Sequence, residues 1–123
     1  SGKKSRNIFI PGRLHTVRPI ALKNTPVFTE NSREYTAIKT SQFGTVIQME
    51  VGAMLVGRIV NHKGKGVAVR GEEKGYFQYG GSTIIVLVEP ERINIDKTIL
   101  KKSIRGEETP VKMGEVIGSC IKK

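Results

Sequence analysis

The residues Gly80-Gly81-Ser82-Thr83 have the types and the spacing that could support chemistry on the backbone itself. They follow the aromatic-rich residues 76–79 and open the apolar run 83–88. Glycine adopts backbone conformations that other residues avoid, so two glycines can hold a following serine in a sharp turn. There the Ser82 hydroxyl could reach the preceding carbonyl carbon, and the chain could break its own peptide bond. Taken alone, the same four residues also fit an ordinary turn.

The elements that would position this motif are short strands. Short apolar or alternating runs, many of them β-branched and bounded by glycine or proline, predict strands at residues 35–40, 46–51, 54–60, 84–88 and 92–96. The run 84–88 is typical of a fully buried strand, residues 61–66 of a loop, and residues 97–103 of one or two helical turns. Fourteen glycines among many short strands predict an all-β fold, a β-sandwich or barrel-sandwich-like hybrid with short helical turns at most.

Composition narrows the class of protein and its partners. At 123 residues, the chain fits one small domain, residues 1–123, with a modest core. Its net charge of +10 attracts anionic partners. Aromatic RNP-type clusters, zinc-finger spacing and an arginine-rich helix are absent from the sequence, which disfavours nucleic acid as the partner.

No run approaches the roughly 20 apolar residues of a spanning helix, so any membrane contact would be peripheral. A single cysteine, Cys120, excludes an internal disulfide and leaves no cysteine cluster for a metal.

Several phrases of the chain together resemble the phosphatidylserine decarboxylase family, in the right order and spacing. The phrases that carry the resemblance are residues 10–17, 19–22, 28–35, 49–59, 74–77 and 80–83. The family's members break the bond before the motif serine and convert that serine into a pyruvoyl group. The resemblance therefore implies a pyruvoyl-dependent carboxy-lyase that makes phosphatidylethanolamine from phosphatidylserine. Its self-cleavage junction would be Gly81–Ser82, with Ser82 as the precursor of the cofactor and no metal required.

Given this resemblance, the types and positions of nearby residues suggest which of them surround the junction, because the lipid tails need apolar contacts and the phosphate needs donors. Ser82 and Gly81 are the predicted catalytic residues, and Thr83 could help to hold the oxyanion of self-cleavage. The predicted substrate-binding residues are Tyr76, Phe77, Tyr79, Gly80, Thr83 and His62. The candidates for the lipid phosphate or headgroup are Arg13, Arg18, His62, Lys63 and Lys65. For the aromatic residues the alternative is a place in the core, and for the charged ones a solvated surface.

One departure from the family pattern concerns the base. The family also relies on an aspartate and histidines before the phrase that here begins at Pro11. In this chain the only aspartate is Asp96, and His15 and His62 lie outside that motif. We therefore expect the chain to be the carboxy-terminal part of a longer proenzyme, which leaves its own processing and turnover open. The expected partners are that upstream part, phosphatidylserine and an anionic membrane surface on the cytoplasmic side; a homo-oligomer is compatible with the sequence.

Two other functions fit parts of the sequence. A non-catalytic β-sandwich that binds anionic lipid or a protein partner would use the same scaffold without cleavage. A lipoyl- or biotinyl-type carrier is suggested by residues 109–118, which resemble the closing phrase of such domains, where valine and isoleucine seal a sandwich edge. Lys112 lies beside Met113, but the hairpin that presents a modified lysine in carriers is absent from the sequence.

Overall fold

The computed structural model describes residues 1–11, 32–52, 59–62, 64–78 and 83–121. Strands make up 48% of this structure, which contains one short helix, so the predicted all-β class is confirmed. The elements are β1 (Gly2–Lys4), β2 (Ile8–Ile10), β3 (Arg33–Thr40), β4 (Gly44–Val51), β5 (Ile59–Asn61), β6 (Gly66–Ala68), β7 (Gly75–Phe77), β8 (Thr83–Val88), β9 (Ile93–Ile95), α1 (Lys97–Ile104) and β10 (Gly118–Cys120).

Six of the strands form one antiparallel sheet around the long hairpin of β3 and β4. The strand order is β6-β1-β3-β4-β8, and β2 also pairs with β3. The β3–β4 pairing runs from Arg33 opposite Val51 to Thr40 opposite Gly44. These two strands include the predicted strands 35–40 and 46–51, which are confirmed. Two smaller sheets accompany the large one, β5 with β7 and β9 with β10.

The hairpin turn is fixed by a threonine and a glycine. Thr40 Oγ1 accepts a hydrogen bond from the Phe43 N–H at 2.9 Å and donates one to the Gly44 carbonyl at 2.8 Å. Gly44 has a φ of 70°, in the left-handed region that favours glycine. A Cβ there would also meet the carboxylate of Glu89, which follows β8. The turn therefore sets the register of the hairpin and leaves room for the end of β8.

Strand β8 is present as predicted, but its burial is not. Ile84, Val86 and Leu87 are 53%, 55% and 51% exposed, so the expectation of a fully buried strand at 84–88 was wrong. The physical reason is its place at the end of the sheet order, where β4 is its one neighbour among the described strands. An apolar run is typical of a strand with both edges and both faces covered, and here one edge has no described partner.

The most buried side chains lie in the β3–β4 hairpin. Val51 and Thr36 are both 0% exposed. The Thr36 hydroxyl donates a hydrogen bond to Asn7 Oδ1 at 2.6 Å, which satisfies a polar group in a buried position. The buried end of β4 at Val51 is also where β8 begins, because Val51 pairs with Thr83.

The helix α1 covers the predicted helical turns at 97–103. Asp96 caps it, with Oδ1 accepting hydrogen bonds from the N–H groups of Thr98 at 2.9 Å and Ile99 at 3.3 Å. Ile99 lines an open apolar groove of about 640 Å³ that β8 and β9 also border through Val86 and Ile93. The predicted strand at 92–96 is confirmed as β9.

The remaining predicted elements are only partly matched. Of the predicted strand 54–60, residues 54–58 lie outside the described residues and 59–60 belong to β5. The predicted loop 61–66 is shorter, because β5 extends to Asn61 and β6 begins at Gly66. Residues 111–117 form no strand, and Val116 is 78% exposed, so the prediction that this segment seals a sandwich edge was wrong. It contains a turn at Gly114, which has a φ of 81°.

The β5–β7 pairing depends on a glycine without a side chain. Gly75 pairs with Asn61, and a Cβ at Gly75 would lie 2.2 Å from the Val60 carbonyl oxygen. We expect Gly75→Ala in the full-length protein to lower the free energy of unfolding by about 1–3 kcal/mol, because backbone must move to relieve the overlap. The measurement is the denaturant midpoint. Gly66→Ala is the matched control, since a Cβ there meets nothing within 4 Å; equal midpoints for both variants would contradict the prediction.

Candidate active site

The backbone that follows the Gly-Gly-Ser-Thr motif is held firmly. Thr83 is the first residue of β8 and pairs with Val51, the fully buried last residue of β4. The next residue of the β4 chain, Gly52, donates its N–H to the Ser32 carbonyl at 2.7 Å. Six residue pairs then join β4 to β8 along the length of β8. The position after Ser82 is therefore anchored to the large sheet.

The strand that precedes the motif belongs to a different sheet. Phe77 and Tyr76 of β7 pair with Ile59 and Val60 of β5. Tyr76 is 50% exposed, whereas Phe77 is partly buried. The chain thus enters the junction region from the β5–β7 sheet and leaves it along the large sheet.

The structure brings together two of the predicted substrate-binding residues, His62 and Tyr76. Their ring centroids lie 5.7 Å apart with a tilt of 48°. His62 Nε2 is 2.5 Å from Glu73 Oε2, a contact that orients the imidazole ring. Lys65 is exposed in the loop after His62. These positions make His62 and Tyr76 one exposed polar and aromatic surface on the β5–β7 side.

Several predicted site residues lie outside the described residues. They are Gly81, Ser82, Gly80, Tyr79, Arg13, Arg18 and Lys63. Their predicted roles therefore stay predictions, and so does the role of Thr83 in holding an oxyanion.

Sequence reasoning missed a buried polar cluster that lies between the two sheets. Lys74 Nζ is 2.5 Å from Glu50 Oε1 and 2.6 Å from Asn61 Oδ1. The side chains of Lys74 and Glu50 are only 14% and 8% exposed. Glu50 lies in β4 and Asn61 in β5, so one ammonium group bonds to both sheets. We call these three residues the Glu50–Lys74–Asn61 cluster.

A signal for this cluster was present in the sequence. Glu50 interrupts the otherwise apolar end of the predicted strand 46–51, where a carboxylate requires a partner if it is buried. Nothing in the sequence named that partner, because Lys74 is one of 21 Lys and Arg residues and lies 24 positions away.

A cavity of about 240 Å³ lies on one side of the cluster. Its lining on the large sheet includes Ile38, Val46, Gln48 and the β6 residues 67–68, and residues 69–70 and 72–74 also line it. Lys74 therefore lines this cavity and also bonds to Glu50. Within the described part of the chain, no group of three or more His, Cys, Asp or Glu residues could hold a metal ion. None of its helices is long and apolar enough to cross a membrane.

The described residues form an all-β structure. In the sequence, Gly80-Gly81-Ser82 lies between β7 of one sheet and β8 of another. Comparison with known proteins identifies the class of protein. A family model described as phosphatidylserine decarboxylase matches residues 1–119. The chain belongs to the phosphatidylserine decarboxylase family, as the sequence resemblance predicted. No solved structure matches it.

The relatives with similar sequences are named as proenzymes. The chain is 56% identical over 109 residues to phosphatidylserine decarboxylase proenzyme 2 of Clostridium acetobutylicum, covering 89% of this chain and 37% of that protein. It is 42% identical over 125 residues to the proenzyme of Ruminiclostridium cellulolyticum, covering 100% of this chain and 42% of the relative. For the proenzyme of Clostridium botulinum strain 657, identity is 45% over 121 residues, which cover 97% of this chain and 41% of the relative. The chain thus spans about two fifths of the length of these curated relatives.

Proposed function

We propose that this chain is part of a phosphatidylserine decarboxylase whose cofactor is a pyruvoyl group made from Ser82. The observation that carries the proposal is the family match over residues 1–119, which includes the whole Gly80-Gly81-Ser82-Thr83 motif. The anchoring of Thr83 opposite buried Val51 supports it, because it fixes the backbone one residue after the reacting serine. The products of the reaction are phosphatidylethanolamine and carbon dioxide.

The self-cleavage reaction uses the chain's own atoms and one water molecule. The Ser82 hydroxyl oxygen attacks the Gly81 carbonyl carbon, a base takes the hydroxyl proton, and the C–N bond breaks to leave an ester. In the elimination a base then removes the Cα proton of residue 82 and the Cβ–Oγ bond breaks, so Gly81 keeps a carboxylate and residue 82 becomes dehydroalanine. Water hydrolyses this residue to a pyruvoyl group and releases ammonia. A positioned base typically contributes 10²–10⁴-fold to such a step, and hydrogen-bond donors must stabilise the tetrahedral oxyanion.

The described residue after Ser82, Thr83, supports the proposal of a pyruvoyl group at position 82. Thr83 would carry the group as the residue after the new chain end, and its pairing with Val51 would hold that end at the large sheet. When formed, the group supplies an electrophilic keto carbon that accepts the electrons released as carbon dioxide leaves. The protein's part is to bind and orient the lipid headgroup there.

The proposed headgroup residues are His62 and Tyr76, together with Phe77 before the junction. His62 and Tyr76 adjoin each other at 5.7 Å between ring centroids, and Glu73 holds the imidazole through Nε2. The other imidazole nitrogen, Nδ1, would donate a hydrogen bond to a phosphate or carboxylate when the ring carries both protons. Tyr79, Gly80 and Thr83 are proposed as further contacts, with Lys65, Lys63, Arg13 and Arg18 as candidates for the phosphate.

The proposed membrane association is peripheral and electrostatic, on the cytoplasmic side. The chain carries 21 Lys and Arg against 11 Asp and Glu, a net charge of +10. A basic side chain near an anionic surface contributes about 1 kcal/mol of binding free energy. Phosphatidylserine is itself anionic, so the same charge would bring the protein to membranes that contain its substrate.

Mass spectrometry of the full-length proenzyme tests the proposal. We expect two polypeptides, one ending at Gly81 and one beginning with a pyruvoyl group at position 82, and carbon dioxide release from phosphatidylserine vesicles. An intact polypeptide with no carbon dioxide release would contradict the proposal and favour a non-catalytic lipid- or partner-binding module. A mass increment on a lysine of an intact polypeptide would instead favour a carrier.

A further inference from the structure

We propose that the Glu50–Lys74 ion pair is a positioning device for self-cleavage, which holds together the two segments that flank the Gly81–Ser82 bond. This inference rests on the proposed function. It assigns to the pair a role in the rate of cleavage, beyond any role in stability. Neither residue is proposed to contact the reacting atoms.

The placement of the two residues along the chain is the first part of the argument. Lys74 directly precedes β7, the strand from which the chain runs into residues 79–82. Glu50 directly precedes Val51, which pairs with Thr83 as the chain leaves the junction along β8. The contact at 2.5 Å therefore joins the incoming segment to the strand that anchors the outgoing segment.

The second part is that the contact crosses between sheets. Lys74 Nζ also bonds to Asn61 Oδ1 at 2.6 Å, and Asn61 pairs with Gly75 at the end of the β5–β7 sheet. One ammonium group thereby fixes β4 of the large sheet relative to β5. This link therefore contributes to how the sheet before the junction lies against the sheet after it.

The third part is that the pair is poorly suited to a purely stabilising role. Burying two charges carries a desolvation penalty, and replacing such a pair by apolar side chains of similar size is often neutral or stabilising. A buried pair of this kind therefore calls for a reason other than stability.

Positional control is such a reason because the proposed reaction depends steeply on geometry. Attack of Ser82 on the Gly81 carbonyl requires the reacting atoms at about 3–3.5 Å, and a misplacement of 1 Å can slow a reaction about 10²-fold. Buried ionic groups fix one conformation in some proteins, and the proposal assigns that role to this pair. The pair should therefore affect cleavage even when the fold is unchanged.

The test is the double substitution Glu50→Leu/Lys74→Met in the full-length proenzyme. We expect the denaturant midpoint to be equal to or above that of the wild type, while the first-order rate of cleavage at Gly81–Ser82 falls at least tenfold. Lys74→Arg, which keeps the charge and the donors, should cleave within about threefold of the wild-type rate. The matched control is Glu107→Leu/Arg105→Met, which removes an ion pair whose side chains are 53% and 63% exposed; it should leave the rate unchanged.

Cleavage of the double variant at the wild-type rate would overturn the inference. If the double variant does not fold, Glu50→Gln/Lys74→Met replaces it, since the amide keeps the shape of the carboxylate; the same slow cleavage is expected, and a wild-type rate again overturns the inference. Ser82→Ala measured in parallel separates this result from the proposed function. Cleavage in Ser82→Ala would refute the proposed function, whereas loss of cleavage there with a normal rate in the double variant would refute only the role of the pair.

Discussion

Ser82→Ala in the full-length proenzyme is expected to abolish cleavage at Gly81–Ser82 and the release of carbon dioxide from phosphatidylserine. Alanine has no hydroxyl oxygen to attack the Gly81 carbonyl, so the ester cannot form. Without the ester there is no elimination, and without elimination there is no keto group to accept electrons. Cleavage is followed by mass spectrometry, and turnover by the release of labelled carbon dioxide from the serine carboxylate.

The matched control for this prediction is Ser41→Ala. Ser41 lies exposed in the β3–β4 turn, at the end of the hairpin opposite Val51 and Thr83. Its loss should leave both cleavage and turnover unchanged. Production of phosphatidylethanolamine by purified Ser82→Ala would show that Ser82 is not the cofactor precursor.

Lys74→Met alone is expected to destabilise the fold strongly, lowering the free energy of unfolding by about 3–5 kcal/mol. The Glu50 side chain is only 8% exposed, and the substitution removes the cation that compensates its charge. Asn61 Oδ1 also loses its donor. The measurement is denaturant unfolding in a Ser82→Ala background, so that both proteins remain a single polypeptide.

Arg105→Met provides the comparison for Lys74→Met. Arg105 also pairs with a glutamate, Glu107, but its side chain is 63% exposed, and exposed pairs contribute at most about 1 kcal/mol. A destabilisation by Lys74→Met as small as that of Arg105→Met would contradict the buried character of the pair. Restoration of stability by adding Glu50→Leu would support it.

The sequence predicted the elements whose signals are local. Strands β3 and β4 are predictable from their β-branched and alternating residues, and the helical turns of α1 were predicted at residues 97–103. The burial of β8 was not predictable in the same way. An apolar run shows that a strand can be buried, but its neighbours decide whether it is, and β8 lies at the end of the described sheet order.

Two of the short strands, β6 and β7, escaped prediction for a related reason. β6 and β7 each contain three residues, too few for a period of two to be recognised. Their positions follow from pairing, as when β6 adds to β1 with Gly66 opposite Lys4. Residues 111–117 show the reverse error, since valine and isoleucine suggested a strand edge, while the structure has a turn at Gly114.

In the candidate site, too, some features were predicted from local sequence and others were not. Ser82 was predicted as the reacting serine from a sequence phrase that resembles a known family. The family is confirmed, and the role of Ser82 stays a prediction. The approach of His62 to Tyr76, and of Lys74 to Glu50, depends on how β4, β5 and β7 are arranged. No local pattern encodes such contacts between segments, so only the three-dimensional structure reveals them.

The ladder between β4 and β8 has a consequence for a protein that cuts its own chain. If Gly81–Ser82 is broken, β4 and β8 belong to separate polypeptides, yet their six residue pairs remain intact. Cleavage would then convert one folded chain into a heterodimer whose interface formed before the cut. The two subunits would not need to associate by diffusion. The pairing of Thr83 with Val51 would then hold the chain directly after the new amino terminus, without a separate binding pocket for it.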